Sequence, residues 1–376
     1  MRVLHFFKTY WPDTFGGVER TIHALASNGG RYGIEATVLT VSAQPKSQPF
    51  SFDNHVVVQA KRNFHIASTD FSIEAIAKFR SLAQNTDLIH FHFPWPFMDM
   101  VNLVVGHGKP YVVTYHSDIV KQKLLLQLYT PLMYRFLEKA QHVIATSDNY
   151  VGSSRVLQNL TNVCTIPLGL DDQSEPFIDP ERRAYWKTRF PEGFFLFVGV
   201  LRYYKGIRTL YEAAKATGLP VVLIGGGGQE AEFRQLVKAD RLTNFHMVGM
   251  LSDVDKAALL SLSRCVVLPS HLRSEAFGLA LVEAARAGKP MISCEIGTGT
   301  SFVNKHGETG YTIPPNDVAS LSDAMLSLWN NDATAQRFGQ AARTRYDKLF
   351  TAEKMLASYV EVYQDAILNF SRNVRT

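Results

Sequence analysis

Short apolar runs alternate with amphipathic segments along the chain, and this alternation is the feature that most constrains its fold. In the first part of the chain, runs that predict β-strands lie at residues 2–7, 36–41, 56–59, 88–92, 111–115 and 142–146. The pattern restarts further on, with runs at residues 194–198, 221–224, 245–248, 265–268 and 291–294. Strands separated by helices predict an α/β protein whose parallel sheets carry helices on both faces.

The restart also predicts two domains. A chain of 376 residues exceeds the usual domain size of roughly 100–150 residues. The polar, proline-containing stretch 171–180 separates the two sets of runs, so we place the domains at residues 1–168 and 169–354. Two doubly wound domains facing each other would bring the carboxyl ends of both sheets to one cleft, where such sheets bind ligands.

Composition argues against several classes of protein. The chain has no run of about 18 apolar residues that would predict a membrane span. The apolar part of residues 1–8 is too short for a signal peptide, which favours a cytoplasmic protein. Cys164, Cys265 and Cys294 lack the spacing of metal ligands and predict free thiols. The net charge of +5 suits phosphates or anionic lipid, and the absence of an Arg/Lys block argues against nucleic acid as a partner.

Two carboxylates flank a predicted helix start in the second half of the chain. Glu275 and Glu283 stand either side of Phe277-Gly278, directly after the apolar run 265–268. If the helix begins near Gly278, the two acids lie roughly 12 Å apart, within reach of one ligand with two polar ends. The free amides of a helix start also bind anions or hydroxyls. The alternative, a pair of solvated acids that stabilise the helix start, stays open.

The pattern Glu-x-Phe-Gly-x-x-x-x-Glu at residues 275–283 resembles the signature of retaining, nucleotide-sugar-dependent glycosyltransferases of family four. Four further motifs follow in the order that this family shows, and together the motifs span about residues 3 to 315; they are Phe15-Gly16-Gly17-Val18-Glu19, Tyr115-His116-Ser117-Asp118, Ile166-Pro167-Leu168-Gly169, and Phe197-Val198-Gly199 through Lys205-Gly206. The resemblance implies the GT-B fold, in which two Rossmann-like domains face a central cleft. It also implies that the last helix, residues 355–376, crosses back to the first domain.

The resemblance implies a donor site in the second domain. Glu275 and the amides of Phe277, Gly278 and Leu279 would hold the sugar hydroxyls, and Glu283 would accept hydrogen bonds from the ribose.

Two cations of the same domain would hold the diphosphate. Lys205 matches the family position. The family usually has an arginine directly after Gly199, whereas this chain has Val200 there and offers Arg202 as the second cation. An ordinary solvated loop is the alternative for both cations. Met250 and Asp253 would contact the base.

The remaining implied residues lie in the first domain. Gly16 and Gly17 allow the backbone to approach a phosphate closely, and a plain turn is the alternative. His116 would lie beside the reacting sugar; a structural role is the alternative, since a lone histidine is more often structural than catalytic. Glu19 and Asp118 would face the acceptor.

The implied reaction is transfer of a hexosyl unit with retention of configuration. Segments 7–12, 200–206 and 297–301 resemble bacterial mannosyltransferases that build O-antigen on a lipid carrier. This implies GDP-mannose as donor and a lipid-linked saccharide as acceptor. A first-domain Asp-x-Asp motif is absent from the sequence, so we expect no cofactor and no metal.

Several alternatives stay open from the sequence. The donor could be UDP-glucose, UDP-GlcNAc or GDP-rhamnose, and an epimerase or a non-catalytic sugar-binding protein could use the same fold. The basic, amphipathic segment 121–139 predicts either contact with an anionic membrane, at the inner face of the plasma membrane, or a core helix with one solvated face.

Overall fold

The structure, a computed structural model, describes residues 1–66, 69–119, 123–171 and 177–373. The chain forms two compact units. The first unit contains Met1–Gly169 together with Ala352–Thr376, and the second contains Leu170–Thr351. Parts of three predicted segments lie outside the described residues: positions 121–122 of the basic segment, 172–176 of the linker and 374–376 of the last helix.

Strands and helices alternate through both units. The strands are β1 (Arg2–Phe6), β2 (Glu35–Ser42), β3 (Phe50–Phe52), β4 (His55–Lys61), β5 (Phe64–Ile66), β6 (Thr69–Phe71), β7 (Leu88–Phe93), β8 (Tyr111–Tyr115), β9 (His142–Ala145), β10 (Val163–Thr165), β11 (Phe195–Val198), β12 (Val221–Ile224), β13 (Phe245–Gly249), β14 (Cys265–Leu268), β15 (Met291–Cys294) and β16 (Gly310–Ile313). The α-helices are α1 (Gly17–Asn28), α2 (Ile73–Gln84), α3 (Pro96–Val105), α4 (Lys123–Glu138), α5 (Asp148–Ser153), α6 (Arg155–Gln158), α7 (Pro180–Arg189), α8 (Ile207–Thr217), α9 (Glu230–Ala239), α10 (Asp253–Leu262), α11 (Leu279–Arg286), α12 (Gly299–Val303), α13 (Val318–Asn330), α14 (Asp332–Leu349) and α15 (Ala352–Asn373).

The first unit is built on one sheet with the strand order β10-β9-β8-β7-β1-β2-β4-β3. All pairs in it are parallel except β3 with β4. The central strand β7 is buried along its whole length, including His90 and His92. Helix α15 packs on β7 and β8. A sheet covered on both faces explains why its strands appear in the sequence as continuous apolar runs.

The second unit is built on a parallel sheet with the order β13-β12-β11-β14-β15-β16. The strands β11, β12 and β13 run outward in one direction, and β14, β15 and β16 run outward in the other. The order therefore reverses between β11 and β14. In open α/β sheets, ligands bind beyond the carboxyl ends of the strands at such a switch point.

Within the described residues, no helix combines the length and the apolar character needed to cross a membrane.

Candidate active site

A largely buried ion pair lies at the switch point of the second unit. Lys205 belongs to the loop after β11, and its Nζ contacts Oε2 of Glu275 in the loop after β14. Ser270 Oγ donates a hydrogen bond of 3.1 Å to the same carboxylate oxygen. Burial is the largest single effect and lowers the pKa of Lys205, but the charge of Glu275, the hydrogen bond to Glu275 and the nearby Tyr204 together outweigh burial, and the pKa is raised. The ammonium therefore stays charged inside the protein, where an unpaired charge is costly.

Gly206 lets the two loops approach each other closely. Its φ is +72°, and a Cβ at this position would lie 1.9 Å from the carbonyl oxygen of Pro269. The amide of His271 also donates to the carbonyl of Tyr204 at 2.9 Å. The Lys205 loop is thus packed directly on the loop that carries Ser270 and Glu275.

The loop after β12 packs on the other side of the Lys205 loop. A Cβ at Gly225 would lie 2.0 Å from the carbonyl oxygen of Gly199, and the amide of Leu201 donates to the carbonyl of Gly226 at 2.9 Å. Arg202 follows Leu201 and is exposed. Met250, after β13, has its Cγ 3.6 Å from a Cβ built on Gly226, and its side chain is 85% exposed. The loops that carry these predicted residues therefore share one edge of the sheet.

The predicted sugar-binding amides lie at the start of α11. Phe277 is buried, and Gly278 has a φ of +86° and caps the helix that begins at Leu279. Among the described residues, the structure gives no hydrogen-bond partner to the amides of Phe277, Gly278 and Leu279. Thr298 Oγ1 holds the carbonyl of Glu275 at 2.8 Å. The three amides are therefore donors available to a ligand beside the buried ion pair.

Glu283 lies further along α11 in an ion pair of its own. Its Oε1 is 3.1 Å from Lys256 Nζ, which is also 3.3 Å from Asp253 of α10. A cavity of about 420 Å³ opens beside Glu283 and Lys256 and is bounded further by Arg286 and Lys289. Neither Lys205 nor Glu275 lines this cavity.

Glu19 of the first unit folds back over the predicted glycine turn. Its Oε1 accepts hydrogen bonds from Thr9 Oγ1 at 2.9 Å and from Thr14 Oγ1 at 2.7 Å. A Cβ at Gly16 would lie 2.3 Å from Glu19 Oε2. A side chain at position 16 would therefore displace the Glu19 carboxylate from this position. Gly17 begins α1 directly after Gly16.

His116 and Asp118 follow the carboxyl end of β8. His116 Nε2 is 3.0 Å from His92 Nδ1 of β7. Burial lowers the pKa of His116 to about 3, so that the imidazole is neutral at neutral pH. Asp118 accepts hydrogen bonds from Tyr115 Oη at 2.8 Å and from Ser154 Oγ at 2.7 Å.

The sequence reasoning missed three partners of the predicted residues. We did not predict the hydrogen bonds of Ser270 with Glu275, of Lys256 with Glu283 and of His92 with His116. Only His92 had a local signal: His90 and His92 are two apart on a strand and so share a face of the sheet. Contacts of Ser270 and Lys256 depend on how α10 and the loop after β14 pack, which motif spacing does not encode.

Two Rossmann-like units, one with a charged site at its switch point, define an α/β enzyme of the GT-B class. Residues 15–174 match the glycosyltransferase family 4 model, and residues 181–345 match the model of glycosyl transferases group 1. The O-antigen chain mannosyltransferase C of Escherichia coli is 48% identical over 96% of this chain and 98% of its own length. The D-rhamnosyltransferase WbpZ of Pseudomonas aeruginosa is 48% identical over 94% and 93%.

The chain therefore belongs to the family 4 glycosyltransferases, as the sequence motifs predicted. The fold is confirmed by a solved structure as well. Sucrose-phosphate synthase of Thermosynechococcus elongatus superimposes with a TM-score of 0.82 at 21% identity, over 98% of this chain and 99% of that protein.

Proposed function

We propose that this glycosyltransferase moves a mannosyl unit from GDP-mannose, with retention of configuration, onto a lipid-linked saccharide of O-antigen biosynthesis. The observation that carries the proposal is the buried pair of Lys205 and Glu275 at the switch point. The name of the Escherichia coli relative supports mannose and O-antigen. The name of the Pseudomonas aeruginosa relative makes GDP-rhamnose the second candidate donor, because its identity to this chain is the same.

The cations act on the leaving group. As the bond between the anomeric carbon and the phosphate oxygen breaks, negative charge grows on the nucleoside diphosphate. Lys205, already oriented by Glu275, and the exposed Arg202 stabilise that charge. Glu275 and the amides of Phe277 and Gly278 hold the sugar hydroxyls, so that the donor is positioned before the bond breaks.

The geometry favours attack of the acceptor on the same face that the diphosphate leaves. Glu275 is engaged by Lys205 and Ser270, which leaves it poorly suited to act as a covalent nucleophile. We infer that the departing phosphate oxygen takes the proton of the acceptor hydroxyl. The family resemblance implies that His116 lies beside the sugar; because burial keeps its imidazole neutral, His116 would place no positive charge at the electron-poor anomeric carbon.

A lipid-linked acceptor would place the reaction at the inner face of the plasma membrane. Helix α4 supports this part of the proposal, because Leu128 is 82% exposed and the exposed Arg135 lies seven residues further along. Residues seven apart share a helix face, and an exposed apolar and basic face suits an anionic lipid surface.

Guanosine nucleotides are expected to stabilise the protein selectively. We would measure thermal unfolding with millimolar GDP, UDP, ADP and dTDP, since a ligand at about 100 times its dissociation constant adds about 2.7 kcal/mol to the free energy of unfolding. A shift with GDP alone supports both guanosine donors. A shift with another nucleotide instead would overturn the choice of GDP-mannose.

Turnover then separates the two sugars. Faster transfer from GDP-mannose than from GDP-rhamnose to a lipid-linked acceptor is the expected result, and the reverse would assign the protein to rhamnose. Product analysis without acceptor provides the control, because an epimerase would release an altered nucleotide sugar under those conditions.

Transfer is expected to continue at an undiminished rate in excess chelator. Asp253 and Asp255 form an Asp-x-Asp pair, but both carboxylates already have protein partners. Asp253 contacts Lys256 at 3.3 Å, and Asp255 Oδ1 accepts hydrogen bonds from Arg182 Nε at 2.6 Å and Trp186 Nε1 at 2.8 Å. The diphosphate charge is neutralised by Lys205 and Arg202 instead. Loss of activity with EDTA, restored by Mg²⁺ or Mn²⁺, would contradict this.

A further inference from the structure

Buried histidines cluster beneath the carboxyl end of the first sheet. His5 lies on β1, His90 and His92 lie on β7, and His116 follows β8. The first three are at most 1% exposed and His116 is 7% exposed. Burial of this many polar rings is costly unless their nitrogens are hydrogen-bonded.

Three of these rings form one continuous chain of hydrogen bonds. His5 Nδ1 is 3.1 Å from His92 Nε2, and His92 Nδ1 is 3.0 Å from His116 Nε2. The rings of His5 and His92 are stacked, and so are those of His92 and His116. Burial lowers the pKa of His5 to about 3 and the pKa of His92 well below its usual value. All three imidazoles are therefore neutral at neutral pH.

Because the three imidazoles are neutral, the hydrogen bonds between them must all point in one direction. A neutral imidazole has one N–H donor and one acceptor nitrogen. Because His92 uses both nitrogens in the chain, it donates at one end and accepts at the other. If His5 donates from Nδ1, then His92 donates from Nδ1 to His116, whose proton must lie on Nδ1. If the direction is reversed, all three protons lie on Nε2. In either direction, therefore, the three histidines share one tautomer: Nδ1–H in the first direction and Nε2–H in the second.

The far end of the chain selects the direction. In the reversed arrangement His5 carries its proton on Nε2, and the structure gives that nitrogen no hydrogen-bond acceptor among the described residues. In the Nδ1–H arrangement the terminal proton lies on His116 Nδ1, which also has no acceptor among the described residues. His116 is 7% exposed whereas His5 is 1% exposed, so water or a substrate can accept from His116 but not from His5. A buried N–H without an acceptor is rarer in proteins than an under-used acceptor. The Nδ1–H arrangement is thus favoured for His5, His92 and His116.

We infer that His5 and His92 are positioning residues that hold His116 in its Nδ1–H tautomer, an inference that rests on the proposed place of His116 beside the sugar. In this state His116 Nε2 is occupied by His92, and Nδ1 carries a proton that can be donated to a substrate oxygen. His116 then has no free lone pair with which to act as a base. This agrees with transfer of the acceptor's proton to the departing phosphate.

His90 provides a matched control inside the same cluster. Its Nδ1 is 2.7 Å from Tyr363 Oη and its Nε2 is 2.7 Å from Thr114 Oγ1. Its ring centroid is 4.2 Å from that of His92. His90 is therefore as buried as His92 but stands outside the chain that ends at His116.

A divalent metal is the competing occupant of the cluster. Ligand nitrogens of His5, His90 and His92 all lie within 4.8 Å of one another. A metal would need a lone pair from each ring and would break one of the two hydrogen bonds of His92 and one of the two hydrogen bonds of His90. The formed hydrogen bonds favour the chain over a metal site.

The first test reads the tautomers directly in the unmodified protein. After treatment with chelator, long-range ¹H–¹⁵N spectra of protein with ¹⁵N-labelled histidine are expected to show His5, His92 and His116 neutral and all in the Nδ1–H form. Assignment uses the single variants His5→Phe, His92→Phe and His116→Phe. Mixed tautomers would overturn the inference, as would shifts of these signals on addition of one equivalent of Zn²⁺. This readout requires neither donor nor activity, so it stands or falls independently of the proposed function.

The second test compares His92→Phe with His90→Phe. His92→Phe is expected to change the tautomer signature of His116 and to lower kcat about tenfold or more, with the KM for the donor within about twofold. His90→Phe is expected to leave the signature of His116 unchanged. An unchanged signature in His92→Phe, or a changed signature with full kcat, would overturn the positioning role. If His92→Phe fails to fold, the wild-type tautomers still decide. If the wild-type tautomers are as expected but the protein turns over no donor, the hydrogen-bonded arrangement of the histidines is confirmed and the proposed function is contradicted.

Discussion

Replacing Glu275 by alanine is expected to lower the turnover of sugar transfer by about a hundred- to a thousandfold. Glu275 orients Lys205 through the buried ion pair, and we propose that it also holds the sugar hydroxyls. The variant loses both contributions, because Lys205 is then free to leave the position in which it stabilises the departing diphosphate. The measurement is kcat with GDP-mannose and a lipid-linked acceptor.

The same substitution is expected to destabilise the fold. Removing one partner of a buried ion pair leaves an uncompensated charge and costs about 3–5 kcal/mol; we expect the lower end of this range, because the side chains of Lys205 and Glu275 keep 13% and 10% of their surface exposed. Native proteins are stable by about 5–15 kcal/mol, so the variant should remain folded at room temperature. Urea unfolding measures this loss separately from kcat.

A double variant separates the loss of activity from the loss of stability. Lys205→Met combined with Glu275→Leu removes both charges, and it is expected to recover much of the free energy of unfolding while remaining inactive. Full turnover in Glu275→Ala would remove Glu275 from the site. Recovery of turnover in the double variant would show that the pair serves stability alone.

The fold was largely predictable because each buried parallel strand is a continuous apolar run. The runs at 111–115, 221–224, 265–268 and 291–294 form β8, β12, β14 and β15 with the predicted ends. The strands that were missed are short or begin with glycine: β3, β5, β6 and β10 have three residues each, and β16 starts at Gly310. Three-residue strands carry too little periodicity to be distinguished from loops.

The candidate site was predictable only as separate motifs. Lys205 and Glu275 were each predicted as site residues from local motifs, but their contact depends on β11 and β14 becoming neighbours in the sheet. Glu19 and Glu283 were predicted to face ligands, and in the structure their carboxylates contact Thr14 and Lys256. Such pairings are made by tertiary packing, which spacing along the chain does not specify.

Replacing Gly206 by alanine is expected to destabilise the second unit and to disrupt donor binding together. A Cβ at Gly206 would lie 1.9 Å from the carbonyl oxygen of Pro269, so that one of the two loops must move. Movement of either loop separates Lys205 from Glu275 and so breaks their ion pair. We therefore expect a lower free energy of unfolding and a higher KM for the donor.

Gly218 separates backbone strain from this steric clash. Its φ of +70° is nearly that of Gly206, +72°, and it also caps a helix end, but a Cβ there would meet nothing within 4 Å. The left-handed backbone strain in Gly218→Ala should therefore lower the free energy of unfolding by only about 1–2 kcal/mol, and the KM for the donor should be unchanged. In Gly206→Ala, overpacking should lower the free energy of unfolding by about 1–3 kcal/mol more. Equal losses of the free energy of unfolding in the two variants would mean that the loops are not in the close contact on which the site depends, and the geometry assigned to Lys205 and Glu275 would then have to be abandoned.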